Sequence, residues 1–332
     1  MSPAGSALLG PLLRDVSRSF YLTLRVLPPA IRPQISLAYL LARASDTIAD
    51  TQAVPRAKRV VLLNQLQSLT RVPELGEFVA HQAAPAEEQL LRRLGECLAV
   101  LDQFAEADAR LIQELLRIIM RGQIFDLERF PGESYADLVA LKDDQELDQY
   151  TYLVAGCVGE FWTRMCRAHL PELEGWKTGR MEELGVRFGK GLQLVNVLRD
   201  IPKDLRIGRC YLPVAEPRRL LDPAQYNSVR PEYERWLDRA VAHLDAGWEY
   251  TLQIPPALKR LRLACIWPIW IGQQTIARLR VGNPLDPAQR IKISRGEVYR
   301  IMVRSLCRLR SDAALQREYQ RLRAKTVSAR SS

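Results

Sequence analysis

The sequence predicts an all-α protein, and three observations carry that prediction. Apolar residues recur at helical spacing through most of the 332-residue chain. No segment of weight alternates with the two-residue period of a strand, and no internal repeat of fixed length is present. No Gly-, Ser- or Pro-rich stretch is long enough to be a linker, so residues 1–332 read as one domain. Its core spans about 15–310, and a basic, partly disordered tail spans about 311–332. The expected architecture is a single helical bundle around a central apolar cavity.

Residues 5–14 are expected to form a short leading helix, with Asp15 or Ser17 capping the next. Pro28 and Pro29 break the pattern. Pro33 is well tolerated near a helix start, and the helix that follows runs to about Asp50. On it Tyr39, Arg43, Asp46 and Asp50 stand at i, i+4, i+7 and i+11, while Leu37, Leu41, Ala44 and Ile48 fill the opposite side. Pro55 opens a helix through roughly Thr70, and 71–85 reads as a loop with a weak helical pattern. Helical periodicity returns over 87–128 with a break before Glu106. Arg121, Gln123, Asp126 and Arg129 are placed on its surface.

Residues 134–167 read as two helical pieces in which Tyr150, Val154, Cys157 and Phe161 share a face beside Ala155, Gly156 and Gly159. Small residues there mean close helix packing or room for a long hydrocarbon chain. Next comes GKGLQLVNVLRDIPKD, 189–204, with Gln193, Asn196, Asp200 and Asp204 at i, i+3, i+7 and i+11 on an otherwise apolar helix. Pro202 kinks or ends that helix near Asp204. A loop with Arg206, Gly208, Arg209 and Tyr211 follows, then helical stretches over about 229–252, 255–280 and 295–324. Trp267 and Trp270 belong to the core.

A lone Asp-x-x-x-Asp is ordinarily a solvated helix face. Two such pairs on largely apolar helices, one with Gln and Asn in line, are harder to explain that way, because buried carboxylates need a compensating cation. Hard oxygen ligands without nearby His or Cys suit Mg²⁺, which takes one or two carboxylates plus substrate phosphates.

The 48 Lys and Arg against 38 Asp and Glu give a net charge of +10, which suits phosphorylated substrates or acidic lipid surfaces. No nucleic-acid-binding signature accompanies that charge. The six cysteines are scattered without a C-x-x-C pair and read as reduced core residues. His81, His169 and His243 are far apart and read as structural. The N-terminus lacks the pattern of a signal peptide, and the longest uncharged run, Leu263 to Ala277, falls short of a spanning helix. The expected location is cytoplasmic, with peripheral association at the inner face of the membrane for product release.

DTIAD at 46–50 and NVLRDIPKD at 196–204 resemble the two aspartate-rich motifs of the squalene and phytoene synthases. SRSFY at 17–21, YTYLVAGCVGEF at 150–161 and RCYLP at 209–213 are similar to three further motifs of that family, in the same order and spacing. The resemblance implies the isoprenoid synthase fold. It also implies a squalene synthase that condenses two farnesyl diphosphates head-to-head through presqualene diphosphate and then reduces the product with NADPH. Other members make dehydrosqualene or phytoene, or stop at presqualene diphosphate, and some relatives are non-catalytic assembly proteins.

The residues matching the family motifs take these implied roles. Asp46, Asp50, Asn196, Asp200 and Asp204 hold Mg²⁺, and Tyr150, Arg199 and Tyr39 are catalytic. Ser17, Arg18, Ser19, Phe20, Arg43, Val154, Gly156, Gln193, Arg209 and Tyr211 bind substrate. IKISRG at 291–296 resembles a nucleotide-phosphate segment through Lys292 and Arg295, although Ser294 stands where the reductive type has arginine. Ala49 and Lys203 stand where the family often has acids, which lowers the negative charge of both motifs.

Overall fold

The computed structural model describes residues 8–17, 21–289 and 291–328. A π-helical turn, Leu8–Leu12, leads into α1 (Leu13–Ser17). Ser17 therefore ends a helix and does not cap the next one. Its hydroxyl donates to the Leu13 carbonyl at 2.5 Å, one turn back. Arg18, Ser19 and Phe20 lie outside the described residues.

The described residues form two compact units. The first comprises 1–128 and 161–174. After α2 (Tyr21–Val26), its centre is α3 (Arg32–Asp50), with Pro33 in its first turn and Leu37, Leu40, Leu41, Ala44 and Ile48 buried. That apolar side packs on α1, α4 (Arg56–Leu66), α6 (Pro85–Arg92) and α7 (Leu94–Leu101). The short α5 (Gly76–Ala80) occupies the stretch expected to be a loop, because Phe78 and Val79 find a buried side. Arg59 is almost fully buried and donates to the Ala49 carbonyl at 2.9 Å.

The helix α8 (Glu106–Arg129) buries Asp108, Gln123 and Asp126 along with its apolar residues. The surface placement of Gln123 and Asp126 is thus corrected: each turns inward with Ile119, Met120 and Leu127. Asp108 accepts from Gln34 at 3.0 Å and pairs with His169 at 2.8 Å, so His169 is structural.

The second unit comprises 129–160 and 175–332. It opens with the two-residue strand β1 (Val139–Ala140), then α9 (Asp144–Thr151), a π-helical turn at Tyr152–Gly156, and α10 (Cys157–His169), whose last residues from 161 on belong to the first unit. Its spine is α11 (Thr178–Arg206), which runs through Pro202 to Arg206. Gly208 follows at φ 81°, a conformation open to glycine, and its position lets β2 (Arg209–Cys210) pair parallel with β1 in the register Val139–Arg209.

α12 (Tyr226–Leu252) and α13 (Lys259–Val281) pack on α11. Trp236, Tyr233, Tyr250 and Trp270 fill the core between them, and the Trp267 indole donates to Ser305 at 2.9 Å. Pro255 and Pro256 delay the start of α13 beyond the expected residue 255.

The expected helix over 295–324 is two helices, α14 (Arg295–Arg308) and α15 (Asp312–Ser328). The Ser311 hydroxyl accepts from the Ala314 amide and starts the second. The expectation of a partly disordered tail is corrected for residues 312–328, because Leu315, Tyr319 and Leu322 are buried. Cys307 is exposed, unlike the five buried cysteines, and so is not a core residue.

Candidate active site

On α3 the periodic spacing does what it predicts. Tyr39, Arg43 and Asp46 are half-buried on one side, and Asp50, one turn on, is exposed. The Arg43 guanidinium bridges two carboxylates, those of Asp46 and Glu87. Glu87, in the first turn of α6, was not singled out in the sequence. Burial and the charge of Asp50 push the Asp46 carboxyl up to about 6 against the pull of Arg43. Its side chain is still 43% exposed, so it is ringed by protein yet open to an incoming ion. The cluster holds three carboxylates against one guanidinium, an excess that favours a further cation.

On α11 the second stripe also holds. Gln193 and Asp200 are half-buried, Asn196 is exposed, and Asp204 is half-buried one turn beyond Asp200. Arg199 reaches along the helix to Asp200 with two bonds of 2.8 and 2.6 Å. Asp204 lines a small recess with Arg209, Tyr211, Val197 and Ile201. Tyr211 is held there by β2, and its ring stacks on Tyr150 with centroids 4.6 Å apart. Phe130 meets Tyr211 edge-on at 5.1 Å. The structure therefore joins Tyr150 to Asp204, Arg209 and Tyr211, which lie far from it in sequence.

The glycines beside Tyr150 serve helix packing. A Cβ on Gly159 would stand 2.0 Å from the Gly185 carbonyl oxygen, so α10 and α11 touch backbone to backbone. Gly156 is buried against Val186 and Lys190, while Val154 is half-buried in the π-helical turn. Lys190 pairs with Asp148 at 2.7 Å and lies over the Tyr152 ring, whose hydroxyl meets Glu160 at 3.2 Å. No sequence signal singled out Lys190, Asp148 or Tyr152 as a group.

Ser17 is buried, with its hydroxyl used within α1. Lys292 and Arg295 are exposed on either side of Ser294, which caps α14 in a reciprocal box with Glu297. Bonds from Ser294, and secondarily from Arg278, hold Glu297 down at about 2.

The family model described as squalene/phytoene synthase matches residues 13–297. A presqualene diphosphate synthase of Rhodopseudomonas palustris is 33% identical over 196 residues, 59% of this chain and 58% of that protein. A bifunctional lycopene cyclase/phytoene synthase of Blakeslea trispora is 31% identical over 208 residues, 61% of this chain and 31% of that protein. The chain thus spans less than two thirds of the length of these relatives. Among solved structures, the TcSQS complex with BPH1237 aligns at a TM-score of 0.73 and 19% identity, covering 98% of both chains. A dehydrosqualene synthase bound to a ligand aligns at 0.60 and 17%, covering 92% of this chain and 96% of that one. These likenesses are to the all-α isoprenoid synthase fold.

Proposed function

Because the chain belongs to the squalene/phytoene synthase family, we propose that it condenses two prenyl diphosphates head-to-head, with farnesyl diphosphate as substrate and a cyclopropyl diphosphate of the presqualene type as product. The observation that carries this reading is the shared recess of Asp204, Arg209 and Tyr211, with Tyr150 stacked on Tyr211. A carboxylate for a metal, a guanidinium for phosphate oxygens and an aromatic face for a carbocation are the three things such a reaction asks of a protein.

The residues present fit magnesium. Among the described residues no three His, Cys, Asp or Glu side chains converge into a closed cage. Mg²⁺ needs no cage when substrate phosphates complete its shell. Asp46 and Asp50 on α3 are one group that would hold the ion, and Asp200 and Asp204 with Asn196 on α11 are another. When bound, the metal neutralises charge on the departing diphosphate.

The chain's own residues do the rest. Arg43 and Arg199, paired here with Asp46 and Asp200, are the guanidiniums that would take phosphate oxygens if those carboxylates held a metal. The C–O bond of one substrate breaks and its electron pair leaves with the diphosphate. The double bond of the second substrate attacks the allylic cation, and loss of one proton closes the ring. The Tyr150 ring, 7% exposed and backed by Tyr211, shields and stabilises positive charge, and its oxygen is the candidate relay for the proton.

The reductive half of a squalene synthase finds weaker support. A nucleotide phosphate between Lys292 and Arg295 meets Glu297, which stays anionic, and Ser294, whose hydroxyl is spent on Glu297. The proposed reaction accordingly ends at the cyclopropyl diphosphate.

The test is incubation with farnesyl diphosphate and magnesium, with and without NADPH, in parallel with the twenty-carbon homologue, and identification of products by mass. The expected product is a thirty-carbon diphosphate whose yield ignores NADPH. A chain that releases no pyrophosphate from either substrate is a non-catalytic relative, and the reading fails.

A further inference from the structure

The helix α14 carries more than its cap. Tyr299, Val303 and Leu306 stand at i, i+4 and i+7, so they form one stripe, and they are 60%, 59% and 54% exposed. Large apolar side chains in such a row are costly to leave in water. On a helical projection Arg295 lies in line with the stripe at its N-terminal end and Arg300 stands to one side of it, while Arg310 is exposed in the turn that follows the helix. None of the three is paired with a carboxylate among the described residues, and the one acid of α14, Glu297, lies on the groove side.

The other side of the same helix lines a groove of about 760 Å³ with Arg300 and Arg304, and α13 and α15 add Arg278, Arg321 and Lys325. The groove's one carboxylate, Glu297, is tied to Arg278 at 2.5 Å. Residues 291–328 hold ten Lys and Arg against three Asp and Glu. Most of the chain's positive excess is therefore gathered at this end of the sequence.

We propose that the outward face of α14 docks on anionic phospholipid membranes, with Tyr299, Val303 and Leu306 entering the interface and the surrounding arginines facing lipid phosphates. An apolar stripe rimmed by cations is the pattern of a helix lying in the membrane plane. No described helix is long and apolar enough to cross a membrane, so the contact is peripheral. A second copy of the chain fits this face poorly. Three side chains cover far less than the roughly 800 Å² per partner of a stable interface.

The experiment is co-sedimentation of the full chain with phosphatidylcholine vesicles, with or without about 30% phosphatidylglycerol. The wild-type chain is expected to pellet with the anionic vesicles and to partition at least about tenfold less onto neutral ones. A Tyr299→Ser, Val303→Ser, Leu306→Ser triple variant keeps every charge and is expected to lose at least about tenfold in partition. An Arg300→Glu, Arg310→Glu variant keeps the stripe and is expected to lose as much. All five side chains are exposed, so both variants are expected to melt as the wild type does. Equal binding to neutral and anionic vesicles, no binding to either, variants that bind like the wild type, or a dimer that the serine variant dissolves would overturn the proposal.

Discussion

The Tyr150 ring lies on the Tyr211 ring, with centroids 4.6 Å apart and planes inclined by 24°. Tyr150 lies in the last turn of the helix that leads into the π-helical turn, and Tyr211 follows the strand after the second acidic motif. The stack ties the proposed proton relay to the recess of Asp204. Tyr150→Phe keeps the ring and removes the oxygen. Its melting temperature is expected to match the wild type while pyrophosphate release slows by about 100-fold. Tyr211→Leu removes the stack and is expected to lower stability by about 1 kcal/mol beyond the lost area, in addition to activity.

Arg43 bridges Asp46 and Glu87, so lysine is not its equivalent. Arg43→Lys keeps one charge but cannot span two carboxylates and then a phosphate. Steady-state kinetics with farnesyl diphosphate should show a loss in kcat/KM of about tenfold for lysine and about 100-fold or more for alanine. Equal rates for arginine and lysine would remove Arg43 from the site.

The contact of α10 on α11 makes a sharp stability comparison. Gly159→Ala places a Cβ 2.0 Å from the Gly185 carbonyl, whereas Gly179→Ala meets nothing within 4 Å on the same α11 spine. Urea unfolding should show a loss of about 2–4 kcal/mol for the first and no loss for the second.

His243 supplies a pH dependence whose sign is fixed. Burial first, then Arg187 and Lys190, lowers its imidazole from 6.5 to about 4, and its Nδ1 is buried without a hydrogen-bond partner. The unfolded chain therefore binds a proton between those values that the folded chain refuses. Stability is unaffected by this group above the unfolded value, falls as the pH drops from 6.5 towards 4, and levels off below. The loss is on the order of 1–3 kcal/mol. His243→Gln should flatten that part of the melting-temperature profile relative to the wild type.

The two acidic stripes were legible because a helix repeats at a fixed period, and Asp46, Asp50, Asp200 and Asp204 obey it. The all-α class followed from the same periodicity. What escaped were partners set by tertiary packing. Glu87 meets Arg43 across 44 residues, and Tyr211 meets Tyr150 across 61. Gln123 and Asp126 were placed on the surface because polar residues usually are; their inward turn depends on neighbours that no local pattern reveals. Ser17 reads as a cap because serine favours N-caps, yet its hydroxyl bonds one turn back inside a helix. The break between α14 and α15 hides in SLCRLRSDA, where Ser311 is a cap within an otherwise helical rhythm.

The most direct measurement is pyrophosphate release from farnesyl diphosphate by the wild-type chain and by Asp46→Asn and Asp200→Asn variants, with magnesium and after chelation. The account predicts release that needs the metal and falls by at least about 100-fold in each variant. Release that survives chelation, or that is undiminished in either variant, would contradict it.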